Sequence, residues 1–365
     1  MAGAVEIPAT VEAIKFISMT PQMAASLVGI GFVGGMLSGF LGSGGAFIMT
    51  PAMMSLGIPG IMAVAANITH KFGKAIMGSK KHGEYGNVDK RMGLVMFIAL
   101  FIGVQLAVSV SKNVLAKAGT AGSNLYISVM FVVILTWVSW FMYRDVKRTA
   151  AGGVPSRGGL AEKIGSLNIP PMIHFKVANV RCSLWLALLV GLATGFLAGT
   201  IGVGGFIGVP AMIYLLGVPT YVAAGTELFL AIFSGMQGAY LYAINGLVDL
   251  RITLLLYVGS LLGLTIGAVG TRVVRGMQIK QVMTAIIAMV AVSRAVVIPK
   301  YLVDMKVIKM SQQSVSLFKY ASDAFLYGSG LVGCSMILYW MYRAWQRASK
   351  MEKERAALGS EASVR

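Results

Sequence analysis

Residues 41–51 read LGSGGAFIMTP, and residues 201–210 read IGVGGFIGVP. Each stretch sets Gly-X-Gly-Gly inside a strongly apolar run and follows it with a proline. Proline removes a backbone donor and disfavours helix just before it, so the pattern predicts a helix break at each point. The flanking runs say what kind of helix is broken. Phe16 to Thr69 contains no Asp, Glu, Lys, Arg or His, and neither does Cys182 to Thr226. Each is long enough to cross a bilayer at about 20 residues per helix.

Further uncharged runs follow at Met92 to Ser111, Ala118 to Tyr143, Leu228 to Val248, Ile252 to Thr271 and Ala324 to Tyr342. Of 365 residues, 57% are hydrophobic and only 12% charged, with a mean hydropathy of +0.78. A soluble domain carries roughly twice that share of charge. The alternating pattern of an outer-membrane barrel is absent, so the chain is expected to be an all-α polytopic membrane protein. Glu6 and Glu12 precede the first apolar run without a basic leader region, and that run is expected to be retained as a helix. The net charge of +18 sits mostly between and after apolar spans, which argues against nucleic acid as a partner and for the bilayer. Cys182 and Cys334 lie far apart, outside any metal-ligand spacing, so no metal or other cofactor is expected.

The two quoted stretches belong to a long internal repeat. Gly39, Gly42, Gly44 and Gly45 fall on Gly199, Gly202, Gly204 and Gly205; after a one-residue slip, Phe47, Ile48 and Pro51 fall on Phe206, Ile207 and Pro210. Gly57 and Pro59 match Gly217 and Pro219, and GNVD at 86–89 matches GLVD at 246–249. The first half carries Lys71, Lys74, Lys80, Lys81, Lys90 and Arg91 around its GNVD turn, whereas the second offers only Arg251. By the positive-inside bias the halves are expected to be inverted relative to each other, as in many secondary transporters. Each repeat should hold four to five helical segments, some broken at the glycines.

These features divide the chain into an N-terminal segment (1–22), a first transmembrane repeat (23–143), a cytoplasmic linker (144–182) and a second transmembrane repeat (183–298). A loop with a final transmembrane helix (299–342) and a charged cytoplasmic tail (343–365) complete it. One loop resists: Lys300, Lys306, Lys309 and Lys319 fall where this topology requires an outside segment. It is either an exception or the sign of a miscounted span.

The apolar pieces after the breaks, Phe47 to Leu56 and Phe206 to Leu216, are too short to span and read as half-helices. Their N-termini, with free N–H groups and a positive dipole end, suit an anion, and the two should meet near the midplane. Packing of small residues is the competing use of such glycines. Glu227 stands alone between two uncharged runs, and a buried ionisable group at that depth points to function. It is expected to couple transport to an ion or to pair with Lys71 or Lys74, which share a helix face; His70 adjoins them. Asn67, Gln237 and Asn245 can donate to an oxoanion or cross-bond helices, and Arg294 is expected to reach an interface.

Gly-X-Gly-Gly with its proline, then Gly-(Ile/Val)-Pro, Val-Ala-Ala and Gly-X-Val-Asp, once per half, resembles the sulfite exporter TauE/SafE permease family. The likeness covers about 31–111 and 184–271. It implies two repeated halves that export a small sulfur oxoanion or organosulfonate, such as sulfite, from the cytoplasm on an ion gradient. The family pattern falls on Gly42, Gly44, Gly45 and Pro51, on Gly202, Gly204, Gly205 and Pro210, and on Thr226 in GTELFLA. The first half departs from it with ITHKFGK at 68–74, and Ala46 and Phe206 follow the glycines.

The expected substrate-lining set is therefore Gly42, Gly44, Gly45, Phe47, Asn67, Thr69, Lys71, Lys74, Gly202, Gly204, Gly205, Phe206, Thr226 and Gln237, with Glu227 as the ion-coupling residue. No catalytic residue is expected: three histidines, at 70, 82 and 174, and no nucleophile with its base make no enzyme. The location implied is multi-pass in the plasma (bacterial inner) membrane, with linker and C-terminus cytoplasmic; a homo-oligomer is compatible with it. The rival reading is a channel-like or membrane-anchoring subunit of a larger complex.

Overall fold

The computed structural model describes residues 17–41, 45–150, 169–273 and 276–363. The first repeat consists of α1 (Pro21–Leu41), α2 (Ala46–Ser55), α3 (Gly60–Glu84) and α4 (Lys90–Ala150), the last turning at Gly119, whose φ is +63°. Only glycine takes that conformation without strain, and it splits α4 into two legs, 90–118 and 120–150. A small antiparallel hairpin, β1 (Met172–Phe175) and β2 (Val180–Ser183), leads into the second repeat. That repeat has the same order: α5 (Leu184–Ile201), α6 (Gly205–Tyr214), α7 (Thr220–Ala243), α8 (Leu250–Val273) and α9 (Gly276–Val296). A short α10 (Ile298–Asp304) and a long α11 (Gln312–Ser363) follow. Among the described residues six helices are long and apolar enough to cross a membrane, α4 supplying 59 residues of such sequence in its two legs.

α1 ends at Leu41 and α2 begins at Ala46, and in the second repeat the chain breaks at 202–204 between α5 and α6, but the prolines do not make these interruptions. Pro51 and Pro210 lie inside α2 and α6. Glycine supplies the interruption: Gly202 caps α5 in the left-handed region at φ +80°. Each chain segment then reverses. A side chain on Gly45 would meet Gly34 and Ser38, and one on Gly204 or Gly208 would meet Thr194, so α2 folds back along α1 and α6 along α5. Each pair is a hairpin that enters the protein and returns to the same side.

The halves interlock by exchange. A Cβ on Gly31, Gly35 or Gly39 of α1 would meet the backbone of Leu256, Ser260 or Leu264 in α8, so these two helices run parallel in near backbone contact. Gly191 and Gly195 of α5 stand in the same relation to Met96 and Leu100 of α4. Thus the first helix of each repeat packs on the fourth segment of the other. The third helices, α3 and α7, meet across the centre and run antiparallel, with Ile68 at Gly238, Phe72 at Gly235 and Leu228 at Gly78. Close backbone approach of this kind needs small residues because apolar side chains gain nothing by leaving lipid for each other.

The duplicated aspartates tie this exchange at the two ends of the bundle. Asp89 accepts from Met92 N–H with one carboxylate oxygen and from Val177 and Ala178 N–H with the other. It caps α4 and grips the hairpin that introduces α5. Asp249 binds Arg251, whose guanidinium donates to Ile17 O ahead of α1. Burial pushes the Asp249 carboxyl upward, but its bonds to Arg251 and that residue's charge outweigh this and hold it below the usual range.

The hairpin end of the bundle also holds Asp145, bound by Lys280 and Tyr214, and so collects the ends of α3, α4 and α6 with the start of α9. The opposite end collects Gly119, α10 and the start of α11, with Asn124 accepting from Gly60 N–H. The resistant loop of Lys300, Lys306 and Lys309 lies at this opposite end, away from the linker.

Replacing Gly259 tests the exchange, because a Cβ there would run into Val28 O. Gly259→Ala is expected to lower the thermal midpoint in detergent, by about 1–3 kcal/mol equivalent, as overpacking does. Gly29→Ala, a position with open space around it, should leave the midpoint unchanged or raise it by up to about 1 kcal/mol equivalent.

Candidate functional site

The break after α5 lies in the interior, and side chains close it, one of them from the first repeat's half-helix. A helix end leaves carbonyls without partners, which hydrocarbon does not tolerate. At the end of α5, Gly199 O accepts from Tyr242 of α7 at 2.6 Å, and Ile201 O accepts from Thr50 of α2 at 3.2 Å. Thr50 in turn accepts from Asn67 Nδ2 of α3 at 2.8 Å. Asn67 packs on Gly202, where a Cβ would come within about 3.1–3.4 Å of the amide. All five of these hydrogen-bonded residues are buried. The first repeat's half-helix therefore touches the second repeat's break directly.

Beside this contact lies the buried ion pair Lys71 to Glu227, 2.9 Å from Nζ to Oε1. Glu227 is 1% exposed, and its second oxygen, Oε2, has no hydrogen-bond partner among the described residues. Its carboxylate rests on the start of α6: a Cβ at Gly205 would overlap it, and Gly208 faces its Cγ. The N-terminus of a helix carries partial positive charge, so α6 and Lys71 hold this carboxylate from two sides. Lys71 is the partner and Lys74 is not; Lys74 is half-buried and makes no hydrogen bond or ion pair among the described residues.

His70, buried next to Lys71, bonds Ser260 Oγ of α8 through Nε2 at 2.7 Å and packs its ring on Tyr257. Ser260 Oγ donates to Tyr257 O at 3.2 Å, which leaves it to accept from His70. Tyr257 accepts from Gly73 N–H and donates to Thr69 O. The charged stretch ITHKFGK is thus clamped to α8 by its backbone and its histidine while Lys71 turns to α7, so both contacts cross to the second repeat.

The remaining expected residues divide. Gly45, Gly204 and Gly205 serve the close fold-back of the half-helices, Gly205 also making room for the carboxylate. Phe47 is fully buried in the apolar core. Gly42 and Gly44 lie outside the described residues, as does the side chain of Phe206, which belongs to α6 by its backbone. Three polar residues have partners in the fold. Thr69 donates to Ala65 O of its own helix, Thr226 accepts from Asp89 N–H, and Gln237 donates to Phe101 O of α4. Asn245 likewise donates to Leu241 O. Arg294 does not reach an interface. It is 1% exposed between α9 and α11 and donates to Ser293 and Ser322.

Thr50, Tyr242, Tyr257 and Ser260 escaped the sequence reading, since a hydroxyl on an apolar helix says nothing about which distant carbonyl it serves. No cluster of three or more metal-ligating side chains occurs among the described residues.

Lys71→Met removes one partner of a buried pair and strands the carboxylate, which costs about 3–5 kcal/mol in known cases. It should therefore lower the thermal midpoint far more than Glu227→Gln, and the double variant should recover most of the loss. Additive losses in that cycle would show that the pair is not coupled.

Comparison with known proteins bears on what this interior serves. The family model described as "Sulfite exporter TauE/SafE" matches residues 27–294, which span both repeats and both breaks. The chain is 25% identical over 265 residues to the probable membrane transporter protein YunE of Bacillus subtilis, covering 70% of this chain and 90% of that protein. It is also 26% identical over 262 residues to a probable membrane transporter protein of Xylella fastidiosa, covering 69% of this chain and 85% of that protein. No solved structure matches. These relatives are transporters, not enzymes, and with six apolar helices the chain is an integral, multi-pass membrane protein. The matched length and the repeated motifs place this chain in the sulfite exporter TauE/SafE family.

Proposed function

We propose that this membrane transporter is a secondary transporter that exports a small anion, a sulfur oxoanion or organosulfonate such as sulfite. The observation that carries the reading is the Lys71–Glu227 pair seated on the start of the half-helix α6, which puts a buried cation and a helix N-terminus at one interior point. An oxoanion fits both: the N-terminal dipole favours negative charge, and the ammonium supplies up to three donors. The family's description supports a sulfur oxoanion as the substrate class.

The equivalent helices α3 and α7 run antiparallel across the centre, which supports repeats of opposite orientation in the bilayer. The hairpin end carries Lys80, Lys81, Lys90, Arg91, Arg144, Lys147, Arg148, Lys176 and Arg181, and by the positive-inside bias it faces the cytoplasm of a bacterial inner membrane. Each repeat's first helix is anchored to the other repeat, while the third helices meet at an ion pair. Rocking of the halves about that seam would open the interior to one side and then the other.

Uptake of labelled sulfite, thiosulfate, sulfate and methanesulfonate into proteoliposomes, with and without an imposed pH gradient, tests the reading. Saturable flux of a sulfur oxoanion is expected, and Lys71→Gln should cut it at least tenfold. No saturable flux of any of the four would overturn it in favour of a membrane-anchoring subunit.

A further inference from the structure

The Glu227 carboxylate occupies the place best suited to a bound anion. It takes the Lys71 ammonium at 2.9 Å and lies on the first turn of α6 at Gly205, with Oε2 buried and without a hydrogen-bond partner. Both the cation and the helix end that would hold a substrate oxoanion are already neutralised by the protein's own acid. We infer that Glu227 is a built-in surrogate anion, and that a substrate anion binds only as Glu227 takes up a proton. This inference rests on the anion-transport reading above.

The charge balance follows from the groups present. Before binding, Lys71 and Glu227 sum to zero. A monoanion entering alone would have to share the one ammonium already paired with Glu227, since half-buried Lys74 makes no ion pair there, a cost of several kcal/mol even after relaxation. A proton arriving at bare Oε2 converts the carboxylate to a neutral acid, frees the Lys71 ammonium for the substrate and restores the sum to zero. One proton therefore accompanies each monoanion, and a monoanion should cross without net charge movement. Only one repeat carries such a group, because the position matching Glu227 in the first repeat is Thr69. The coupling is one proton, not two.

Other charged groups around Glu227 do not offer a substitute. On α3, His70 is held by Ser260, and Lys74 adds a second positive charge; His82, near Gly225, and exposed Lys80, Lys81 and Glu84 lie toward the helix end. Ahead of α4, Asp89 has its carboxylate occupied by three backbone N–H groups, and Lys90 and Arg91 are exposed. The described parts of α5 and α6 carry no titratable side chain except Tyr214, bound to Asp145 at the far end of α6.

The test uses purified wild-type protein in weakly buffered detergent solution and whichever of sulfate, thiosulfate or methanesulfonate gives saturable flux. None of these carries a titrating proton of its own near neutral pH. Adding the transported anion should draw about one proton per bound anion from solution, because Glu227 takes only one, and affinity should rise about tenfold per unit of falling pH while Glu227 is ionised, as linkage requires. Glu227→Gln should bind the anion without proton uptake and with pH-independent affinity, tighter than wild type at neutral pH. Its flux should become sensitive to membrane potential. Saturable anion flux with no proton uptake by the wild-type protein would overturn this inference and leave the transport reading standing. So would loss of binding in a Glu227→Gln protein that elutes and melts as wild type does. If that variant does not fold, the wild-type proton count decides alone. Absence of saturable flux for every anion would overturn the transport reading and this inference with it.

Discussion

A backbone that breaks within hydrocarbon must find partners for its freed carbonyls and amides, and that constraint organises this protein. The hydroxyls of Tyr242 and Thr50 accept the burden at the end of α5, and they come from α7 and from the other repeat's half-helix. Enclosing one break therefore requires the other half. This is a physical reason for the two repeats to interlock rather than sit side by side: α1 lies on α8, α5 lies on α4, and neither hairpin is left facing lipid alone.

The same enclosure creates the electrostatic situation in the centre. Two third helices cross antiparallel, bringing Lys71 and Glu227 together in a place where neither would be tolerated singly. An ion pair at the seam of two halves is a different device from one inside a half. It stabilises the interface while both partners keep their charges and weakens it when one is neutralised. The interface between the two repeats is thus held by an interaction that protonation can switch.

Much of this was legible in the chain itself. The uncharged runs and the glycine breaks pointed to helices and to the half-helices now seen at Ala46–Ser55 and Gly205–Tyr214, and repeat register suggested Lys71 or Lys74 as partner to Glu227. Other readings needed correcting for physical reasons. Pro51 and Pro210 looked like terminators, yet in a short helix a single missing backbone bond is tolerated, both lie inside their half-helices, and Gly202 ends α5 in the second repeat. Arg294 looked like an interfacial anchor because nothing local showed that α11 would cover it with Ser322. Thr226, a candidate ligand by motif, serves the Asp89 turn instead, a contact 137 residues away.

By itself the sequence determined the membrane setting, the helical class, the twofold internal repeat and the positions of the breaks, because hydropathy, charge and glycine act over short spans of chain. Only the tertiary structure decided that the half-helices fold back, that each repeat's first helix belongs to the other's fourth segment, and that Glu227 rests on α6 rather than merely facing a lysine. Those outcomes depend on close approach between backbones and on which distant group a buried polar atom must find. Neither is written in local pattern, since any of several glycine faces could have met and any of several hydroxyls could have capped the break.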